Sequence, residues 1–379
     1  MMKRVLGGLL AAAMLCLLCA CHREPASPDG SDVPVIAPTA SADATVTTAT
    51  TVPTTVPTTA AIPEAEISDP DVELWDDPVT VDTPSRDVGG LLVMGRSAYE
   101  YYGFSESTAD EYIAALNSAG NQLQGRATVY DIVIPTAIGV MLPAAVRADL
   151  GLTEQADAID YMYGHMDDTV VKVPLLDILR AHSDEALYYH TDHHWSSRAA
   201  YYAYASYMRC KGATPKALGD YETKVFDGFY GTLYEMTEAD LHEDAVVAYL
   251  PASEHTMFFE DSEGNRTDWQ VITDVSGWGR GSKYLTFIGG DNAFSEITNE
   301  DLHDGSAAVV IKESFGNAFV PFLVDHYEKV YVVDYRYYEA MRLSDFVDYY
   351  HIQDVIFINN IGATRSPSLV EDIAGFAGP

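Results

Sequence analysis

Two short segments about 120 residues apart carry the residue types that could do chemistry. The first is His190-Thr191-Asp192-His193-His194-Trp195; the second is Glu313-Ser314-Phe315-Gly316-Asn317-Ala318. A serine hydroxyl is a poor nucleophile until a base takes its proton. An aspartate two residues before a histidine can share one side of an extended loop, where it fixes the ring tautomer and stabilises the imidazolium. On that chemistry Ser314 is the candidate nucleophile, His194 its base and Asp192 the orienter of the base. His193 then points elsewhere, and Trp195 anchors the loop by burial. The serine follows the apolar run Ala307-Ala308-Val309-Val310-Ile311. A serine placed where a buried strand turns into a helix is exposed at the sheet edge, with free backbone N–H groups aimed at any oxyanion formed there. Gly316 removes a side chain beside that point, and Asn317 adds an amide donor.

Each segment has a rival reading. Serine is a favoured helix cap, so Ser314 can be that and nothing more. His190, Asp192, His193 and His194 are all potential metal ligands, and hydrolytic zinc sites use such groups. Four ligands this close in sequence seldom reach one ion, so a further group such as His165 or His303 would be needed. A histidine-rich surface turn is the third reading.

The elements that must position these residues follow from periodicity. Leu91-Leu92-Val93-Met94, Tyr130 to Ile134, Ala307 to Ile311, Val330 to Val333 and Val355 to Ile358 read as buried strands. Between them, Ser107 or Thr108 can cap a helix through about Ala119, and Ser196 or Ser197 one through about Arg209, stopped by Gly212. Gly316 to His326 has helical spacing, with Pro321 expected to kink or shorten it. Leu343 to Tyr350 is a further short helix. The C-terminal third thus alternates strand and helix, which implies α/β architecture with a mainly parallel sheet. Ligands bind beyond the carboxyl ends of such strands, where Ser314, Asp334 and Asn359 lie. The stretch from about 218 to 285 is expected to be a mixed, partly antiparallel insertion that walls a pocket.

The ends bound the folded part. Lys3 and Arg4 precede an apolar run, Val5 to Ala20, too short to span a membrane comfortably. It closes on Leu18-Cys19-Ala20-Cys21, which resembles a bacterial lipobox. The implied product is cut after residue 20 and lipidated on Cys21. Residues 21–67 are rich in Thr, Pro and Ala, a composition that cannot bury a core and reads as an extended tether. The remaining chain, 68–379, is read as one domain. With the signal removed, Cys21 lipidated and only Cys210 left, the chain offers no intrachain disulfide and no cysteine metal site. The formal charge is −35 for the full chain. Nucleic acid and anionic lipid headgroups are therefore poor partners. No phosphate-binding glycine loop and no dinucleotide fingerprint is present, so no cofactor is expected.

The residues His190 to Trp195 resemble the signature of the bacterial DHHW protein family, spelled by Asp192-His193-His194-Trp195. The run Lys312 to Leu323 is similar to that family's second block, where Asp usually precedes the serine; Glu313 stands there in this chain. Gly289-Gly290-Asp291-Asn292 is similar to the loop before that block. The resemblance spans roughly residues 85 to 375. It extends to the SGNH-hydrolase-like alginate O-acetyltransferase proteins, and it implies a three-layer α/β sandwich with a triad of Ser314, His194 and Asp192. For the oxyanion it leaves Asn292 and Asn317 open beside the Ser314 N–H. The function so implied is a surface-anchored serine O-acetyltransferase or O-acetylesterase acting on an extracellular or cell-wall polysaccharide. The alternatives are a non-catalytic carbohydrate-binding or assembly protein of the cell envelope, and a zinc-dependent hydrolase. The implied partners are a polysaccharide, a membrane-bound O-acyltransferase as acetyl donor, and the membrane itself through Cys21, on the outer face of the cell membrane. Tyr230, Tyr234, Trp278, Tyr335, Tyr337 and Tyr338 are candidates for a sugar platform. Arg198, Arg280 and Arg336 are candidates for holding an acidic sugar.

Overall fold

The apolar runs read from the sequence meet in one large sheet. The computed structural model describes residues 61–67, 69 and 72–378; the expected signal, Cys21 and most of the tether lie outside the described residues. In chain order the strands are β1 (Ser85–Val88), β2 (Leu91–Met94), β3 (Ser97–Glu100), β4 (Thr128–Ile134), β5 (Val170–Lys172), β6 (Glu222–Phe229) and β7 (Asp244–Leu250). They continue with β8 (His255–Glu260), β9 (Arg266–Trp269), β10 (Phe294–Asn299), β11 (Ala307–Lys312), β12 (Lys329–Asp334) and β13 (Asp354–Asn360). The main sheet has eight strands in the order β5-β4-β13-β11-β12-β10-β8-β9.

Five neighbouring strands of this sheet, from β5 to β12, are parallel. Strands β10, β8 and β9 extend it by antiparallel pairing. The reason is visible in β11, whose six residues are all buried. A strand covered on both faces reads as a continuous apolar run. From β11 the chain moves to β12 on one side and then returns past β11 to β13 on the other. The strand order therefore reverses at β11, and its carboxyl end opens on the crevice that such a reversal creates.

The smaller parts differ more from the sequence reading. Leu91–Met94 is a buried strand, but it belongs to a separate antiparallel meander, β1-β2-β3. Its partners are polar enough to hide from periodicity. The insertion does contain antiparallel structure: β6 pairs with β7, and β8 with β9. The first long helix runs Glu106–Leu123 from Ser105 as its cap position, not from Ser107 or Thr108. It continues past Gly120, because a Cβ there would stand 2.7 Å from Thr169 Oγ1; the glycine lets helix and strand approach closely. Ser196 caps the helix Ser197–Cys210, its Oγ accepting from the Ala199 N–H. The helix expected over Gly316 to His326 is two 3-10 helices, Ser314–Ala318 and Val320–His326, with Pro321 in the first turn of the second. Proline is tolerated there because its missing N–H would be unpaired anyway. The helix Leu343–Tyr350 has the expected bounds.

The tether reading also needs correction at its end. Glu64–Ile67 is a short helix, and Ile62 and Ile67 are buried in the main core. Besides the two isoleucines, the Tyr201 hydroxyl donates to the Glu66 carbonyl and Arg209 pairs with the Glu66 carboxylate, which docks the segment. Among the described residues no helix is long and apolar enough to cross a membrane.

Candidate active site

The Asp192 and Ser314 segments meet at the carboxyl end of β11. His194 Nδ1–H donates to Asp192 Oδ1 at 2.6 Å, and Ser314 Oγ lies 2.7 Å from His194 Nε2. The Asp192 carboxylate also accepts the His194 N–H at 3.0 Å, so the loop holds base and orienter together. With Nδ1 protonated toward Asp192, Nε2 is left with a lone pair for the serine proton. Trp195 is fully buried and donates from Nε1 to the Phe315 carbonyl at 2.8 Å, fastening the histidine loop to the serine turn.

The electrostatics suit a neutral base. Burial pushes the His194 pKa down; the neighbouring His193 adds to this, and Asp192 opposes it. Burial alone would raise the Asp192 carboxyl, but the charges of His194 and His193 and hydrogen bonds from His194 and Thr232 hold it well below the usual carboxylate range. The arrangement can therefore keep an unprotonated imidazole beside Ser314 and receive its proton. As the first residue of its turn, Ser314 has an N–H with no partner inside that turn, free to face an oxyanion.

Glu313 shapes that turn. Its Oε2 accepts from the Phe315 N–H at 3.2 Å, and its Oε1 accepts from the Asn360 N–H at 2.9 Å, tying β11 to β13. The longer side chain thus reaches both backbone donors. Burial raises the Glu313 pKa, with those donors and Arg336 opposing.

Several supporting residues had no local signal in the sequence. Thr232 donates to Asp192 Oδ2 from its N–H at 2.8 Å and from its hydroxyl at 3.1 Å. Gly231 packs so tightly on Asp192 that an added Cβ would stand 2.5 Å from its Cγ. Tyr284 stacks on the His194 ring, centroids 4.0 Å apart and planes 14° from parallel, and donates to the Ser314 carbonyl at 3.2 Å. Only the Gly231-Thr232 step itself could hint at this turn; nothing marks Tyr284 among 25 tyrosines.

Other expected site residues are placed differently. Ser314, His193 and Arg336 line one cavity of about 740 Å³, with Tyr101, Tyr102 and Arg365 opposite. Asn317 is buried and donates to Asp291 Oδ1 at 2.9 Å, which withdraws its amide from the cavity. Asn292 Nδ2 is buried with no hydrogen-bond partner. The Gly316 N–H is spent on the Glu313 carbonyl at 2.9 Å. Gly316 is needed for space, since a Cβ would meet the Lys312 Cβ at 2.5 Å. Arg198 does not line this cavity: it is buried as an ion-pair partner of Glu185 and Asp69. Tyr335 is likewise buried, donating to Asn359 Oδ1. Arg280 lies over the rings of Tyr230 and Tyr234, and Trp278 is exposed. His165 bonds to the Tyr161 carbonyl on its own helix, and neither it nor His303 joins the Asp192 group.

Residues 66–333 match the family described as DHHW protein. The chain belongs to the DHHW protein family. Among solved structures, a DHHW family protein from Eubacterium siraeum is similar at 28% identity and a TM-score of 0.69, covering 78% of this chain and 98% of that one. Bacillus cereus PatB1 with a sulfonyl adduct is similar at 17% identity and a TM-score of 0.62, again over 78% and 98% of the two chains. The O-acetyltransferase domain of Pseudomonas putida AlgJ is more remote, at 13% identity and a TM-score of 0.40 over 76% and 97%. A comparison with curated proteins finds no match.

Proposed function

We propose that this DHHW protein is a serine-dependent O-acetyltransferase or O-acetylesterase acting on an extracellular or cell-wall polysaccharide. The observation that carries the reading is the continuous hydrogen-bonded chain Asp192–His194–Ser314 at the open edge of the sheet. In the first half-reaction His194 takes the Ser314 proton as Oγ bonds to the acetyl carbonyl carbon. The tetrahedral oxyanion rests on the Ser314 N–H, with the unpartnered amide of Asn292 as the side-chain donor. Collapse expels the donor's alkoxide, which takes the proton from His194 and leaves acetyl-serine. In the second half-reaction water or a sugar hydroxyl attacks, His194 accepts its proton, and Ser314 is regenerated by the reverse transfer.

We read the helices beside the sheet as the outer layers of an SGNH-type three-layer sandwich. We further place the protein on the outer face of the cell membrane, held by lipid on Cys21. A membrane-bound O-acyltransferase would supply acetyl groups if transfer is the reaction. The zinc-hydrolase reading has less support at Ser314, because the inner donors of Asp192 and His194 already face each other and the serine.

The test is hydrolysis of p-nitrophenyl acetate by the full chain and by Ser314→Ala, with mass spectrometry of the acylated protein. Loss of turnover in the variant and an acetyl group on Ser314 of the parent are expected. Turnover unaffected by Ser314→Ala would reject the serine mechanism. No turnover and no adduct in folded protein would favour the non-catalytic envelope protein.

A further inference from the structure

The geometry points to a second site, for a zinc ion, built by His190, His242 and Asp76 in a separate cavity behind the histidine loop. The cavity is about 630 Å³ and is also lined by Glu73, Asp244 and Tyr189. One ligand-type atom from each of Asp76, His190 and His242 falls within 4.8 Å of the others.

His190 is the decisive member. It is 7% exposed, and its ring is clamped by Trp75, stacked at 4.0 Å and 4° from parallel. Its Nδ1–H donates to Asp244 Oδ1 at 2.8 Å. That carboxylate is itself fixed, accepting the His190 N–H at 2.8 Å and the Thr191 N–H at 2.9 Å. A carboxylate on one imidazole nitrogen sets the tautomer and makes the other a better metal ligand. The other nitrogen, Nε2, is buried without a hydrogen-bond partner. It faces Asp76 Oδ1 at 3.2 Å, near enough for a single metal ion to be ligated by both. The spacing suits one: ligands about 2.0–2.1 Å from a tetrahedral zinc lie roughly 3.3 Å from each other.

His242 completes the face. Its Nδ1 is 2.9 Å from the Asp76 carboxylate, and its ring centroid is 5.1 Å from that of His190. Two imidazoles and a carboxylate are a donor set for zinc, whereas calcium and magnesium prefer oxygen alone. Glu73 stands beside the group as a candidate fourth ligand.

The site lies apart from Ser314 but shares its loop. Asp244 holds Thr191, and Asp192 follows directly. Zinc here would brace the segment that carries the acid and base, without entering the acyl chemistry.

The experiment uses the full chain, purified without a polyhistidine tag and stripped with chelator. Zinc chloride is titrated by calorimetry and followed by thermal unfolding. One zinc per chain and a rise in Tm saturating at one equivalent are expected. Asp76→Ala and His242→Ala should each weaken binding by about tenfold or more and abolish the Tm shift. Both side chains are partly exposed, at 54% and 35%, so these variants should keep the fold, checked by circular dichroism. His193→Ala should bind as the parent does. Zinc uptake in the parent no greater than in His242→Ala would overturn the proposal. So would uptake lost in His193→Ala and kept in His242→Ala, which would place the ion at Asp192–His193–His194.

Discussion

Replacing Gly231 by alanine should disable the candidate triad without substituting any of its three members. The added Cβ would overlap Asp192 and stand 2.5 Å from its Cγ, where two carbons normally rest about 3.5–4.0 Å apart. The conflict is relieved only if one side retreats by about 1 Å. Gly231 is held by its N–H on Thr191 Oγ1 and the Glu235 N–H on its carbonyl, and the next residue, Thr232, donates to Asp192, so movement on either side displaces the Asp192 carboxylate. Its retreat breaks the 2.6 Å bond that orients His194. A displacement of this size in a reacting assembly costs on the order of 10²-fold in rate. Complete loss of the aspartate's orienting role costs about 10⁴. The expected fall in kcat is therefore about 10²–10⁴, or ~2.7–5.4 kcal/mol of transition-state stabilisation, with KM little changed. Steady-state hydrolysis of p-nitrophenyl acetate measures it. Gly277→Ala, in open space, serves as the control. A folded Gly231→Ala protein with parental kcat would show that Asp192 does not orient the base.

Two further outcomes follow from buried ionisable groups. Because the His194 pKa is lowered chiefly by burial and then by His193, kcat/KM should fall on acidification with a midpoint below about 6.5, and His193→Ala should move that midpoint upward. A pH–rate profile with its acid limb above the ordinary histidine value would contradict this. The same shift means the unfolded chain takes up the His194 proton first, so this contribution to stability is present above the ordinary pKa and lost as pH falls below it. Asp131, buried in β4, is raised to about 7 by burial, against a hydrogen bond donated by the Tyr112 hydroxyl. Its folded form holds a proton that the unfolded chain loses near the ordinary carboxyl value of 3.8, so stability is lost as pH rises between the two. At pH 8 the cost is about 4 kcal/mol at most, and Asp131→Asn should recover part of it while keeping the acceptor for Tyr112. Chemical denaturation at pH 8 and pH 4.5 should show stabilisation only at the higher value; equal effects at both would count against a charged Asp131.

What could be read from the sequence was what is local or periodic. Strands β11 and β13 announced themselves because burial on both faces leaves no polar interruption. Asp192 and His194 can be read as a pair because two residues of loop suffice to bring them together, and a hydrogen bond joins them in the structure. The cap at Ser196 is equally local. Tyr284, Gly231, Thr232 and Asp244 were missed because each reaches the histidine loop across 40 or more residues, and no pattern near them records the contact. In the sequence Gly316 only clears space next to Ser314, and Asn317 is one of two open oxyanion candidates, with Asn292. The 3-10 turn instead spends one N–H on Glu313 and folds the other side chain inward to Asp291. The meander β1-β2-β3 was half visible, since β1 has no buried residue.

The charge beneath Ser314 bears on which polymers could be accepted. Lys312 is fully buried and joined to Asp291 at 3.0 Å and Asp334 at 2.9 Å. Arg336 forks the Asp334 carboxylate at 2.8 and 2.6 Å and reaches Asp291 at 2.8 Å. Two cations and two anions thus close on one another, joining the ends of β11 and β12 to the loop at Asp291. The cluster is an internal brace and adds no net positive charge to the cavity. A uronic acid would have to compete with Asp334 and Asp291 for Arg336, and stripping a partner from a buried pair costs about 3–5 kcal/mol. A neutral sugar ester meets no such cost. Arg365, which leans on the Tyr101 carbonyl and the Tyr102 ring across the same cavity, is then the cation better placed to meet a substrate's charge. In a chain of formal charge −35 an acidic polymer is also repelled overall, so under the proposed function a neutral sugar ester is the expected better substrate.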